Sequence, residues 1–154
     1  MNGNHNQSHA NRRARVLVAL KHPDYAPAML ARAKSLASEG AKVWVVHVLE
    51  RPKHATDATL MEQLETAEAW LRRGLTEAGL GGGALPLVVV GDPAAEILSA
   101  VQALDAEILL LGAGTPADVA EARPGTGVGR AVQARAKCAV VFYDLRTDGR
   151  IKAP

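Results

Sequence analysis

Five short apolar runs, each followed by a longer or glycine-rich segment, restrict this chain to few folds. They cover residues 15–20, 42–49, 85–90, 108–111 and 138–143. Each is too short for a core helix, and four are dominated by Val, Ile and Leu, as in strands buried on both faces. Helical segments alternate with them. The first, 25–38, is rich in Ala and Leu, carries Pro27 in its first turn and is closed by Gly40. The second, 58–78, spaces Leu60, Leu64, Ala67, Leu71 and Leu75 three or four apart, which makes one apolar stripe. The third runs from Pro93 to about Leu104, with Asp92 as N-cap and Ile97, Leu98, Val101 and Leu104 on its apolar face. Strand–helix alternation of this kind predicts an α/β three-layer sandwich around a five-stranded parallel sheet. At 154 residues the chain makes one domain with a sizeable core. We expect a disordered tail over 1–13, rich in Asn, His, Gln and Ser, a folded domain over 14–144 and a loose tail over 145–154.

Composition narrows the function. The net charge is only +2, and aromatics make up 3% of residues, which argues against a nucleic-acid surface. No apolar run is long enough to span a membrane, and the first ten residues lack the apolar core of a signal peptide, so a cytoplasmic protein is expected. The single cysteine, Cys138, rules out an internal disulfide, and no metal site is expected. Cys138 and Trp70 read as packing residues, and His47, inside an apolar strand, as a satisfied core histidine.

The chemistry-bearing stretch lies between the fourth and fifth strands. Glycines cluster at 112–114, in a glycine turn from Gly112 to Thr115 that closes one strand, and at 125–129, opening a short helix. A glycine-rich helix start aims unpaired N–H groups and the positive dipole end at a ligand, so a phosphate fits there. In an open parallel sheet, ligands bind at the carboxyl ends of the strands. Here those ends carry Lys21 and His22, Leu49 and Glu50, Gly91 and Asp92, and Gly112 to Gly114. Asp92 is accounted for as a helix cap, and Asp24 also suits one.

Several segments, taken together, resemble the universal stress protein family. They are Val-Leu-Val-Ala-Leu in the first strand, His47-Val48-Leu49 in the second, and Val90-Gly91-Asp92-Pro93-Ala94 at the third. They also include Asp105 through Gly112 and Ala136-Lys137-Cys138-Ala139-Val140-Val141. The resemblance implies strand order 3-2-1-4-5, the adenine nucleotide alpha hydrolase-like arrangement, and a homodimer through the last strand, which opens on Cys138 and ends on Tyr143. Family members that hold ATP carry an acidic residue after the first strand. They also carry glycine, two residues, glycine, nine residues, glycine, then serine or threonine. Here Lys21 stands where the acid belongs, and lysine offers only donors. Gly112 matches the first glycine, and Thr115 takes the second position with Gly114 beside it. Gly125 and Thr126 match by counting forward, Thr126 and Gly127 by counting back from Cys138. Val48 falls where a backbone meets adenine. The candidate nucleotide residues are therefore Val48, Gly112, Gly114, Gly125, Thr126, Gly127 and Val128, for ATP or AMP.

Three functions follow as expectations. The first is a non-enzymatic homodimeric stress-response protein with a degraded or altered nucleotide site, working through an unknown protein partner. The second is an ATP- or AMP-binding switch that uses the loop from Gly112 to Gly129. The third, slow phosphate hydrolysis at the same place, lacks an identifiable general base, so no catalytic residue is assigned.

Overall fold

The computed structural model describes residues 13–21, 27–51, 53–113, 128–144 and 149–150. The elements are β1 Arg15–Ala19, α1 Pro27–Ser38, β2 Lys42–Leu49, α2 Asp57–Glu77, β3 Ala84–Val90, α3 Pro93–Leu104, β4 Ile108–Ala113, α4 Val128–Arg135, β5 Ala139–Asp144 and β6 Gly149–Arg150. The sheet order is β3-β2-β1-β4-β5-β6. The first five strands are parallel, in the order 3-2-1-4-5 that the sequence implied.

The sixth strand corrects the expectation of a wholly loose C-terminal tail. Gly149 and Arg150 pair antiparallel with Asp144 and Tyr143. Neither residue carries a strand signal, so pairing to an edge, and not local propensity, makes this strand. The N-terminal tail lies outside the described residues.

β1 is the centre of the sheet, flanked by β2 and β4. Its side chains alternate between two cores. Val16, Val18 and Leu20 pack with Met29, Leu30, Ala33 and Leu36 of α1 and with Leu71 and Leu75 of α2. Leu17 and Ala19 pack with Trp44 and Val46 of β2, Ile97 and Val101 of α3, and Val132 of α4. Helices α1 and α2 therefore cover one face and α3 and α4 the other.

The helix boundaries follow local chemistry. Asp92 accepts from the Ala95 N–H at 3.0 Å, and Pro93 takes the first helical position of α3, as expected. Thr56 caps α2 through the Thr59 N–H at 3.2 Å, so that helix starts at Asp57, one residue earlier than expected. Gly40 ends α1 at φ +100°, a conformation that disfavours any residue with a Cβ. The stripe on α2 is only partly a core stripe: Ala67, Leu71 and Leu75 are buried, whereas Leu60 and Leu64 are half-buried. The first half of α2 thus runs beyond the core that anchors its second half.

The two sheet edges differ. The Gly91 N–H donates to the Leu49 carbonyl, and by the two-residue repeat Leu85, Leu87 and Val89 also face β2 with their backbone groups. Pro86 falls between them, so its missing N–H is on the outer edge, where it breaks no ladder bond. On the other side, the Ala139 N–H donates to the Glu107 carbonyl. Val140, Phe142 and Asp144 accordingly point their backbone groups outward, and among the described residues β6 pairs at the Asp144 end.

Leu17 is fully buried in the middle of the sheet. Leu17→Ala should cost about 2–5 kcal/mol, the range for large-to-small changes in a packed core. In urea unfolding, this should appear as a lower midpoint with an unchanged slope.

Candidate functional site

The strand order reverses at β1, which has β2 on one side and β4 on the other. The crevice at the carboxyl ends of β1 and β4 is where such a sheet leaves room for a ligand. β1 stops at Ala19, paired with Val46 and Leu111. The Leu20 N–H still donates to the Val46 carbonyl at 2.9 Å, and Lys21 follows as an exposed side chain. Both neighbouring strands continue past that point: β2 to Leu49 and β4 to Ala113.

Their overhang forms the rim of the site. Val46 turns its carbonyl toward β1, and two residues on, Val48 has the same orientation. The Val48 N–H and C=O therefore face the space beyond the end of β1. The Val48 side chain packs on the α3–α4 face. Gly112 and Ala113 were expected in a glycine turn, but they are the last residues of β4 and pair with Tyr143 and Asp144. The ladder to β5 outweighs the poor strand propensity of glycine there. Val128 is the first residue of α4, whose Val132 is buried on the α3 face. Since β4 ends and β5 begins on opposite sides of the sheet, α4 runs back along the strands with its N-terminus on the carboxyl side. Gly114, Gly125, Thr126 and Gly127, and with them His22 and Asp24, lie outside the described residues.

His47 is half-buried, with Nδ1 3.0 Å from the Leu20 carbonyl oxygen and its ring edge-on to Trp70 at 4.8 Å. A carbonyl only accepts, so Nδ1 is the protonated nitrogen. This bond ties the end of β1 to β2 and agrees with the reading of His47 as a partnered core histidine.

A second feature went unread in the sequence. Between β2 and the first half of α2 lies a cleft of about 430 Å³, lined by His47, Leu49, Thr59, Gln63, Thr66 and Trp70, among others. The signal was present in α2 as a stripe of polar residues, Thr59, Glu62, Gln63 and Thr66, at helical spacing beside the apolar one. Among the described residues, no group of three His, Cys, Asp or Glu is placed to hold a metal, and no helix is long and apolar enough to cross a membrane.

The family model for the universal stress proteins matches residues 12–143. The chain belongs to that family. Among solved structures, a universal stress protein in complex with cAMP is similar at 20% identity and TM-score 0.63, covering 86% of this chain and 98% of the other. One from Archaeoglobus fulgidus in complex with dAMP is 21% identical at TM-score 0.60, covering 85% and 97%. UspA from Lactobacillus plantarum is 22% identical at TM-score 0.64, covering 85% and 97%. These likenesses are to the fold. No curated protein matches the chain.

Cys138, just ahead of β5, is half-buried, and desolvation raises its thiol above the ordinary 9.0 despite an opposing backbone hydrogen bond. The folded chain therefore holds this proton more tightly than the unfolded one. The associated stabilisation is complete below pH 9.0 and is lost as pH rises through the folded value. Thiol labelling at pH 8 should be slower in the native protein than in urea, and a native rate equal to the denatured one would contradict the shift.

Proposed function

We propose that this universal stress protein is a non-enzymatic cytoplasmic regulator, a homodimer through β5, with a nucleotide site altered at the end of β1. The observation that carries the reading is Lys21, exposed just beyond the last paired residue of β1, beside the overhanging ends of β2 and β4. A carboxylate there would accept hydrogen bonds from sugar hydroxyls, whereas an ammonium only donates. The start of α4 favours an anion, and Lys21 adds positive charge at the carboxyl end of β1. The site is thus biased toward phosphate and away from ribose. Asp92, the rim carboxylate on β3's side, is engaged as the cap of α3, which supports a role without catalysis.

The second reading is a switch that binds AMP or ATP through the same loop. The cAMP and dAMP complexes of related proteins favour it, as does the inward-facing backbone of Val48. Calorimetric titration with AMP separates the two. In the altered-site reading the native protein binds AMP weakly, and Lys21→Asp tightens it about tenfold or more by restoring an acceptor. Tight AMP binding that Lys21→Asp leaves unchanged would hand the case to the switch.

The dimer reading is supported by the asymmetry of the edges. Pro86 blocks pairing on β3, while Val140 and Phe142 leave outward backbone groups on β5. Val140→Pro removes an outward N–H and keeps the ladder to β4. Light scattering should then report a monomer with an unchanged circular dichroism spectrum, and a persisting dimer would place the interface elsewhere.

A further inference from the structure

The ladder between β1 and β2 stops one hydrogen bond short. In a parallel pair the bonds are evenly spaced and donated by each strand in turn. At one end the Lys42 N–H donates to the Ala14 carbonyl, and at the other the Leu20 N–H donates to the Val46 carbonyl at 2.9 Å. The next bond in this series would run from the Val48 N–H to the Leu20 carbonyl. That bond is not made, and the pairing ends at Ala19 and Val46. The Leu20 carbonyl instead accepts from His47 Nδ1 at 3.0 Å. The two donors approach from different directions. Ladder bonds lie in the sheet, between the strands. Val48 packs on the α3–α4 side, so the His47 side chain leaves β2 on the other side, where its ring meets Trp70 of α2 edge-on. A carbonyl drawn toward that ring tilts out of the sheet and away from the Val48 N–H. β3 cannot take that N–H either, because it bonds the odd-numbered residues of β2, as the Gly91 N–H does the Leu49 carbonyl.

We propose that His47 is a positioning residue of the crevice: by taking the Leu20 carbonyl it ends the β1–β2 ladder and keeps the Val48 N–H as a donor for a bound molecule. This rests on the reading that the crevice holds a nucleotide such as AMP. An amide already bonded to Leu20 would have to break that bond before it could donate to a ligand, which would offset most of the benefit. Held open, it exchanges only a water for the ligand. The same bond fixes the start of the next segment, because Lys21 follows the Leu20 carbonyl directly. His47 does this from the α1–α2 side of the sheet and acts through the backbone of Leu20 and Val48.

The test compares His47→Asn with His47→Leu in the whole chain. The asparagine amide nitrogen stands as many bonds from the backbone as His47 Nδ1 and keeps the donor, whereas leucine fills the space without one. The first measurement needs no ligand. It is the scalar coupling carried across a hydrogen bond, read between the Val48 amide nitrogen and the Leu20 carbonyl carbon. The coupling should be absent in the native protein and in His47→Asn and present in His47→Leu, where exchange of the Val48 amide should also slow about fivefold or more. The second is calorimetric titration with AMP. Its affinity should fall about fivefold in His47→Leu, as for one lost hydrogen bond, and stay within about twofold of native in His47→Asn. Packing alone predicts the opposite order, because leucine suits the contact with Trp70 better than asparagine does. The two readings fail separately. A native protein that binds no AMP, with the coupling as expected, refutes the nucleotide reading and leaves His47 as the group that ends the ladder. The proposal is overturned if the native protein already shows the coupling, if His47→Leu does not gain it, or if AMP binds and the two variants bind it alike.

Discussion

The burial of β1 between two partners is the constraint on which the rest depends. A strand hydrogen-bonded on both sides and covered on both faces has no place for an unpaired polar side chain, so the buried residues of β1 after Arg15 are apolar. Val16, Leu17 and Val18 are completely buried. Helices can cover both faces only if each crossover returns the chain to the same side of the sheet, which makes the strands parallel. The two halves of the chain then grow outward from β1 in opposite directions. That reversal opens the crevice where β1 stops short and β2 and β4 overhang it. The fold and the site are consequences of one arrangement.

Strand alternation divides β2 into two roles. Its even-numbered residues, Trp44, Val46 and Val48, pack against α3 and α4, and their backbone groups face β1. Its odd-numbered residues project toward α1 and α2, and their backbone groups face β3. At the carboxyl end of the strand, the same repeat turns the Val48 backbone to the crevice and the His47 ring to the cleft under α2. A shift of one residue in register would exchange these roles, so the pairing of Ala19 with Val46 positions both places at once.

Much of this was legible in the sequence because it is periodic or local. The five apolar runs located the parallel strands to within two residues at either end, and Asp92-Pro93 announced the cap of α3. What the sequence concealed is set by distant partners. Gly112 and Ala113 look like a turn, yet β5 supplies a ladder that keeps them in β4. Gly149 and Arg150 have no strand character and become one only because Asp144 and Tyr143 present an edge. The stripe of α2 was read correctly as a helix face, but its burial depends on where the sheet ends beneath it, and no local pattern carries that. The cleft was missed for the same reason, although its polar lining is spaced as regularly as the core stripe. The glycines from 125 to 127, on which the resemblance placed the phosphate, lie outside the described residues.

The two edge regions of the sheet differ in what they offer another strand. β3 is half-exposed along its length, with Leu85 51% exposed, and on hydrophobicity alone it would be the stickier edge. Yet parallel pairing turns alternate residues outward, and one of the outward residues of β3 is Pro86, which cannot donate. An incoming strand would lose a ladder bond at that place. On β5 the outward residues Val140 and Phe142 are competent donors and acceptors, and among the described residues β6 pairs with Tyr143 and Asp144. Backbone hydrogen-bonding capacity, more than exposed apolar area, distinguishes the two edges. Moving the proline by one residue would place its missing N–H inside the ladder to β2. That would weaken the sheet and restore the outer edge, so the protection depends on parity as much as on residue type.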